Sequence, residues 1–266
     1  MKSSEWEQRI RRAVELGERF SYAAEVLAFY RQVLEFQSKI YRQISLQPLP
    51  DNKADGPWRD RLEVDVALRQ LPALLSLVER SGPSKLAEQA RHIDGSTLDW
   101  QRQRMEDFLS PKQGSAEQPD NFFARVLLQP YAEYLAQAEP PRPTGSAGSV
   151  CPTCKARPQA AVLRPEGDGG KRFLLCSLCL TEWEFRRILC PICGEENYQK
   201  LPRYTAEDIA AVRVEACDTC HFYLKSIDLT VDGHAVPLVD EVATVPLDLW
   251  AEEHGYKKAE ANLMGF

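Results

Sequence analysis

The chain has 266 residues, of which 44% are hydrophobic and 27% are charged, and its formal net charge at pH 7 is -6. This composition is typical of globular proteins and excludes a wholly disordered chain. No stretch approaches the roughly 18 consecutive apolar residues of a membrane span, and the first twenty residues contain no apolar core of a secretory signal. The acidic balance argues against general binding to nucleic-acid phosphates. We therefore expect a cytoplasmic protein without membrane insertion.

The first half of the chain contains no cysteine and is patterned as amphipathic helices. Apolar residues recur at spacings of three and four from residue 6 to residue 44, and a second helical stretch runs from about residue 59 to residue 80. Such spacing places apolar side chains on one face of a helix. Further helices are predicted over residues 85–92, 100–109 and 122–138. We expect residues 1–138 to form an all-helical bundle of five to seven helices.

Residues 139–149 have the composition of a linker between this bundle and the remainder of the chain. Three prolines stiffen its first part, and glycine and serine loosen the rest. The balance of charge also changes across this linker. Residues 1–150 carry 20 basic and 21 acidic side chains, whereas residues 151–266 carry 13 basic and 18 acidic side chains. The acidity therefore concentrates in the second half, which argues against nucleic acid as its partner.

The second half contains a duplicated arrangement of Cys-x-x-Cys pairs. The first unit spans residues 150–189, and 21 residues separate its two pairs. The second unit spans residues 190–266, and 23 residues separate its two pairs. The paired cysteines are Cys151, Cys154, Cys176 and Cys179 in the first unit and Cys190, Cys193, Cys217 and Cys220 in the second. A two-residue gap lets both sulfurs reach one ion, and the longer gap forms a hairpin that returns the second pair opposite the first. We predict one four-cysteine metal site in each unit.

Strand patterns in the second half support this arrangement. In the first unit, residues 161–164 and 171–175 flank a glycine-rich turn and predict a hairpin, and a third strand is expected over residues 181–189. In the second unit we expect a helical turn near residues 204–210 and strands over residues 212–216 and 222–227. The predicted fold class is α+β: a helical bundle, two tandem rubredoxin-like or zinc-ribbon modules, and a short C-terminal helix.

Three alternatives stay open at this point. The cysteines could form disulfides or belong to a decayed metal site, although their clustering in a chain without a signal peptide favours metal binding. The two central pairs could share one ion, but their gap of ten residues is tight and the outer pairs would be left apart. The metal is also open, because four thiolates suit zinc and iron alike.

One pair matches the ideal sequence Cys-Pro-x-Cys-Gly, with Gly194 after its second cysteine. Glycine tolerates the left-handed conformation that aims backbone amides at sulfur. The equivalent positions in the other pairs hold Lys155, Leu180 and His221, which depart from this pattern.

Several segments together resemble the FdhE family of formate dehydrogenase accessory (formation) proteins. The resemblance is specific over residues 151–256 and looser in the helical half, where residues 23–30 (AAEVLAFY) are similar to the family's first helices. The segments that carry it are residues 175–183 (LCSLCLTEW), residues 217–225 (CDTCHFYLK), and the tail with residues 240–243 (DEVA), 247–249 (LDL) and 255–256 (GY). The chain departs from the family in Lys155, where glycine is common, and in a somewhat short N-terminal half.

The resemblance implies a non-catalytic cytoplasmic factor that is required for active molybdenum- or tungsten-containing formate dehydrogenases. Such factors bind the catalytic subunit of that enzyme before export or assembly, and other formate dehydrogenase maturation factors are further candidate partners. The resemblance also favours rubredoxin-type iron in the two sites, one ion in each. Iron would permit redox sensing, whereas zinc would serve the fold only.

No catalytic residues are predicted, because the sequence contains no phosphate-binding glycine loop, Gly-x-Ser-x-Gly motif or His-Glu-x-x-His motif. A rubredoxin-like electron carrier is the first alternative function, and it requires iron near the surface. A zinc-ribbon nucleic-acid-binding module is the second, and it requires basic ribbons. We expect the partner surface to include Tyr223, Asp240, Glu241 and Asp248, where carboxylates beside apolar segments would meet basic residues of the partner.

Overall fold

A computed structural model of the chain describes residues 3–47, 62–110, 121–138 and 148–266. In the described part of the first half, the structure has seven α-helices, in agreement with the predicted bundle. They are α1 (Ser3–Arg19), α2 (Ala24–Ser45), α3 (Val64–Leu68), α4 (Leu71–Ser81), α5 (Ser84–Asp94), α6 (Leu98–Leu109) and α7 (Asn121–Ala138).

Local sequence explains where these helices begin, end and pack. Leu27, Tyr30 and Leu34 recur at helical spacing on α2 and are fully buried, and each such side chain contributes about 1.5–3 kcal/mol of hydrophobic stabilisation. Gly82 and Pro83 separate α4 from α5, since proline lacks the amide donor needed inside a helix. Thr97 begins α6 by accepting a hydrogen bond from the Trp100 amide on its hydroxyl.

The second half forms one sheet of seven strands. The strands are β1 (Pro158–Glu166), β2 (Gly169–Cys176), β3 (Glu182–Glu184), β4 (Arg203–Thr205), β5 (Val212–Ala216), β6 (Phe222–Asp228) and β7 (Lys257–Lys258). Their order is β3-β2-β1-β6-β5-β4, and β7 also pairs with β6. The predicted α+β fold class with two tandem cysteine units is confirmed, although the third strand of the first unit is shorter than the predicted 181–189.

The two cysteine units are joined edge to edge within this sheet. Strands β1 and β2 form the predicted antiparallel hairpin, and β5 and β6 form its counterpart in the second unit. Between the two hairpins, β1 pairs with β6 in parallel, with Ala160 opposite Lys225 and Leu163 opposite Asp228. The tandem modules are therefore halves of one continuous sheet.

Two short helices, rather than one, follow the sheet. They are α8 (Pro237–Ala243) and α9 (Val245–Glu253), and Thr244 separates them. Proline occupies the first turn of each helix, where its missing amide costs nothing. Helix α8 packs against both α1 and β6, so it lies between the helical half and the sheet.

The helices and the sheet share a hydrophobic core. One cluster of buried side chains includes Leu27 and Tyr30 of α2, Leu178 of the first cysteine unit and Val239 of α8. The predicted division at 1–138, 139–149, 150–189 and 190–266 stays a prediction, and residues 139–147 of the predicted linker lie outside the described residues. Among the described helices, none has the length and apolar character needed to cross a membrane.

Candidate metal centres

The first four-cysteine cluster lies at the end of the β1–β2 hairpin. One Cys-x-x-Cys pair lies shortly before β1, and the other begins at Cys176, the last residue of β2, so the hairpin carries both pairs to the same end of the sheet. The Sγ atoms of Cys151 and Cys179 are 3.5 Å apart, and those of Cys154 and Cys176 are 3.2 Å apart. All four sulfurs lie within 4.8 Å of one another, and all four cysteines are buried.

The second cluster repeats this arrangement in the second unit. The loop after β3 supplies Cys190 and Cys193, and the turn between β5 and β6 supplies Cys217 and Cys220. The Sγ distances are 3.8 Å between Cys190 and Cys220 and 3.7 Å between Cys193 and Cys217. The structure thus groups the cysteines within each unit, and the alternative of one site built from the two central pairs does not occur.

The sulfur positions fit a tetrahedral metal ion in each cluster. Four sulfurs at about 2.3 Å from a central ion are about 3.8 Å from one another. The measured distances, 3.2–3.8 Å, are close to this value and far from the roughly 2.05 Å of a disulfide bond. All eight cysteines are free, so each cluster offers four sulfur ligands.

Electrostatics also favour a cation in the clusters. Burial raises the pKa of the Cys176 thiol well above its ordinary value and raises that of Cys190 as well. Four thiolates gathered in such a site need a bound cation to hold their charge, since metal binding deprotonates coordinating thiols.

The backbone around every Cys-x-x-Cys pair has the same conformation. The residue after the second cysteine has a φ of 63° at Lys155, 57° at Leu180, 78° at Gly194 and 58° at His221. The amide of the first cysteine donates to the carbonyl five residues later in all four pairs, at 2.9–3.0 Å. Sequence reasoning found this turn only at Gly194; the repeated Cys-x-x-Cys spacing was the signal for the other three.

Backbone amides also point at the sulfurs. The amides of Ala156, Leu178 and Ile192 each donate to a cysteine Sγ at 3.4 Å. Hydrogen bonds to an ionised acceptor stabilise the charged form. The turns therefore favour thiolates as well as positioning them.

The two clusters differ in exposure. Every cysteine of the first cluster is at most 2% exposed, whereas in the second cluster Cys193 is exposed and Cys220 is half-buried. The first cluster lies under the helical half, and the second lies at the molecular surface.

The comparison with known families agrees with this architecture. The family model for the central domain of FdhE matches residues 150–187, and the model for the C-terminal domain of FdhE matches residues 188–264. Each of the two models covers one four-cysteine cluster. Residues 150–264 of the chain are therefore similar to the central and C-terminal domains of FdhE.

Similar FdhE proteins extend over the whole chain. The FdhE homolog of Aquifex aeolicus is 29% identical over all of this chain and 97% of its own length. The FdhE homolog of Pseudomonas aeruginosa is 36% identical over 44% of this chain and 39% of its own length. The crystal structure of FdhE from Pseudomonas aeruginosa has the same fold, with a TM-score of 0.74 over 97% of this chain and 95% of that chain at 22% identity.

The four residues predicted for the partner surface are buried. Tyr223, Asp240, Glu241 and Asp248 are each at most 5% exposed. The prediction of a partner surface at these side chains is therefore corrected. Its premise, that carboxylates beside apolar segments face outward, fails because basic residues of the same chain reach them in the interior.

Two lysines supply most of this internal pairing. Lys225 on β6 is 0% exposed and lies 3.1 Å from Glu241 on α8, and it also pairs with Asp248 on α9. Lys258 on β7 pairs with the same two carboxylates, and the Tyr223 hydroxyl donates to Asp248 at 2.8 Å. A lysine in the middle of β6, directly after three aromatic or apolar residues, was the available sequence signal for this network.

Two arginines of the helical half bind the rest of the molecule. Arg12 on α1 donates to Asp240 on α8, with 3.0 Å from Nε to Oδ2. Arg125 on α7 donates from Nε and Nη2 to the carbonyl of Ser177, inside a cysteine turn of the first cluster, at 3.1 and 2.9 Å. Sequence reasoning missed both contacts, because Asp240 and Ser177 lie more than fifty residues from these arginines along the chain.

Proposed function

We propose that the protein is a non-catalytic accessory factor required for the formation of active formate dehydrogenase, and that it binds the catalytic subunit of that enzyme. The observation that carries the proposal is the pair of closed four-cysteine clusters, each in a segment that matches an FdhE domain model. A site with four protein thiolates has no open position for a substrate, unlike a catalytic zinc site. Such clusters suit a protein that presents a surface to a partner.

In this proposal each cluster holds one metal ion, and iron is favoured by the family. Zinc remains the alternative, and it would stabilise the fold without redox chemistry. The proposed ligands are Cys151, Cys154, Cys176 and Cys179 for one ion and Cys190, Cys193, Cys217 and Cys220 for the other. Since thiolate ligands require reduced cysteines, we place this action in the cytoplasm.

The metal assignment is tested by metal analysis and the visible spectrum of protein purified without oxygen. We expect two ions per chain, with the charge-transfer colour of ferric four-thiolate sites after mild oxidation. Cys151→Ser and Cys190→Ser form a matched pair, and each is expected to lose one ion and retain the other. A wild-type protein that saturates at a single ion contradicts the two-site arrangement.

The function is tested in a strain that lacks this protein. We expect formate oxidation to be abolished while the catalytic polypeptide is still synthesised, and the tagged wild-type protein to restore activity and to co-purify with that polypeptide. Full formate oxidation in the deletion strain, or formate oxidation by the purified protein alone, contradicts an accessory role.

A rubredoxin-like electron carrier is a second candidate, and the exposure of Cys193 at the second cluster favours it. The two functions differ in when the protein is needed. If synthesis of the protein is stopped after formate dehydrogenase has been assembled, an accessory factor predicts that formate oxidation in cells persists. A carrier predicts that it declines as the protein is depleted.

A further inference from the structure

The surface beside the second cluster combines basic and apolar side chains. We propose that this surface, formed by Arg187, Ile188, Ile192, Tyr198 and Arg203 and called here the Arg187–Arg203 surface, binds an acidic segment of the catalytic subunit. The inference rests on the proposed function and assigns the surface that carries it.

Two large apolar side chains are exposed here. Ile188 is 46% exposed and Tyr198 is 68% exposed, and Ile192, between Cys190 and Cys193, is half-buried. The loop that carries Tyr198 is held against the second cluster, because the Lys200 carbonyl accepts a hydrogen bond from the Asp218 amide at 2.9 Å. Aromatic and aliphatic side chains held on a rigid scaffold are the usual anchors of protein interfaces.

The same segment carries an excess of positive charge in an acidic chain. Residues 186–203 contain four basic and two acidic side chains, whereas the whole chain has a net charge of -6. Both acidic residues are already engaged: Glu196 pairs with Arg186 at 2.8 Å, and Glu195 accepts from the Thr219 hydroxyl at 2.6 Å.

Among the described residues, Arg187 and Arg203 are the two basic side chains of this segment without a carboxylate partner. Each donates to a backbone carbonyl, Arg187 to Gly170 at 3.2 Å and Arg203 to Arg187 at 3.1 Å. Within the described ranges, neither guanidinium forms an ion pair with a carboxylate. By contrast, the buried Arg172 beneath them pairs with Glu215 at 2.9 Å.

The two exposed arginines flank a small pocket whose wall also includes the paired Arg172 and Glu215, with Cys190 and Cys217 of the second cluster. Its volume of about 30 Å³ is far below the roughly 300 Å³ of a cofactor or metabolite site. A pocket of this size accepts the end of a side chain, and a carboxylate matches the forked donors of arginine.

This combination favours an acidic protein segment over nucleic acid. A polyanion would have to approach a second half with 18 acidic and 13 basic side chains, and general repulsion would oppose it. An acidic side chain flanked by apolar residues would satisfy the arginines and cover Ile188 and Tyr198 at the same time.

The test measures the affinity of the full-length, metal-loaded chain for the purified catalytic subunit. In the Arg187→Glu and Arg203→Glu double variant, we expect the Kd to rise at least tenfold and the salt dependence of binding to weaken. The matched control, Lys39→Glu with Arg69→Glu, reverses two exposed charges in the helical half and is expected to change the Kd less than twofold. Metal content is measured for every protein.

Each result has a defined meaning. If the double variant keeps both ions and binds the catalytic subunit with unchanged affinity, the proposed surface is overturned. Binding by the wild-type protein still supports the proposed function in that case. Absence of binding by the wild-type chain overturns the proposed function itself. If the charge reversal releases metal, the Arg187→Gln and Arg203→Gln double variant is measured instead. Weaker binding by this variant with both ions present supports the proposed surface. Renewed metal loss shows a structural role for the arginines and overturns the proposed surface. Binding of single-stranded oligonucleotides in preference to the catalytic subunit also overturns it.

Discussion

At the scale of single residues, the left-handed turn after each cysteine pair is the most informative feature. Lys155, Leu180 and His221 adopt the same positive φ as Gly194. This conformation costs a residue with a side chain about 1–2 kcal/mol relative to right-handed backbone. The cost is offset because the turn brings two sulfurs together and directs backbone amides toward them.

Exchanging residue types at two of these positions tests that account. Gly194→Ala is expected to lower the free energy of unfolding of the metal-loaded protein by about 1 kcal/mol, since an added Cβ at Gly194 meets no atom within 4 Å and only the backbone conformation is penalised. Lys155→Gly is expected to raise the free energy of unfolding by up to about 1 kcal/mol, because Lys155 is exposed and the substitution removes only the backbone strain of its positive φ.

The measurement is denaturant unfolding at fixed metal content, with both variants compared with wild type. Gly148→Ala serves as the control, because Gly148 has open space and is outside the set of glycines with positive φ. Equal stability of Gly194→Ala and wild type contradicts the assigned backbone cost.

At the scale of secondary-structure elements, buried charges fasten β6 to α8, α9 and β7. Lys225 and Lys258 meet Glu241 and Asp248 in the interior, and the side-chain amide of Asn262 donates to Glu241 at 2.6 Å. Burying charges costs free energy, and pairing offsets that cost only when every member of the network is present. The complete network therefore specifies one packing arrangement of these elements. Because β6 begins two residues after Cys220, the network also fixes one side of the second cluster.

Removing one partner shows how strongly the elements depend on this network. Lys225→Met leaves two buried carboxylates with one lysine, and we expect the free energy of unfolding to fall by about 3–5 kcal/mol. Lys257→Met is the control, since Lys257 is an exposed neighbour in β7 and its loss is expected to cost less than about 0.5 kcal/mol. A small effect of Lys225→Met contradicts the role given to the network.

The same network makes stability depend on pH. Burial alone would raise the pKa of Glu241, but the charges of Lys225 and Lys258 lower it to about 2. The stabilisation from a carboxyl whose folded pKa is depressed is complete above its unfolded value of about 4.3 and is lost as the pH falls toward 2. We expect the unfolding free energy of wild type to fall across this range, and to fall less steeply in Glu241→Gln, as measured by denaturant unfolding at constant ionic strength.

At the scale of the whole molecule, the helical half and the sheet depend on each other. Arg12 joins α1 to α8, Arg125 joins α7 to the first cluster, and apolar side chains of both halves belong to one buried cluster. A helical half that folds separately would expose the apolar side chains that now face the sheet.

A chain cut between the halves tests this dependence. With a protease site introduced within residues 139–147 and cleaved after folding, we expect the two fragments to elute together in size-exclusion chromatography. The same cut chain with Arg12→Met and Arg125→Met is expected to separate or precipitate, since Asp240 and the Ser177 carbonyl then lose buried partners. Two folded fragments that elute apart without those substitutions contradict a shared core.

The sequence by itself determined the features that depend on neighbours along the chain. Helical spacing predicted the helices around Leu27, Val33 and Leu34, and Cys-x-x-Cys spacing with a hairpin predicted which cysteines meet, because a hairpin joins adjacent strands. Only the tertiary structure decided the parallel pairing of β1 with β6 and the burial of Asp240, Glu241 and Asp248. A carboxylate is buried or exposed according to whether a cation reaches it, and here Arg12, Lys225 and Lys258 come from three other elements.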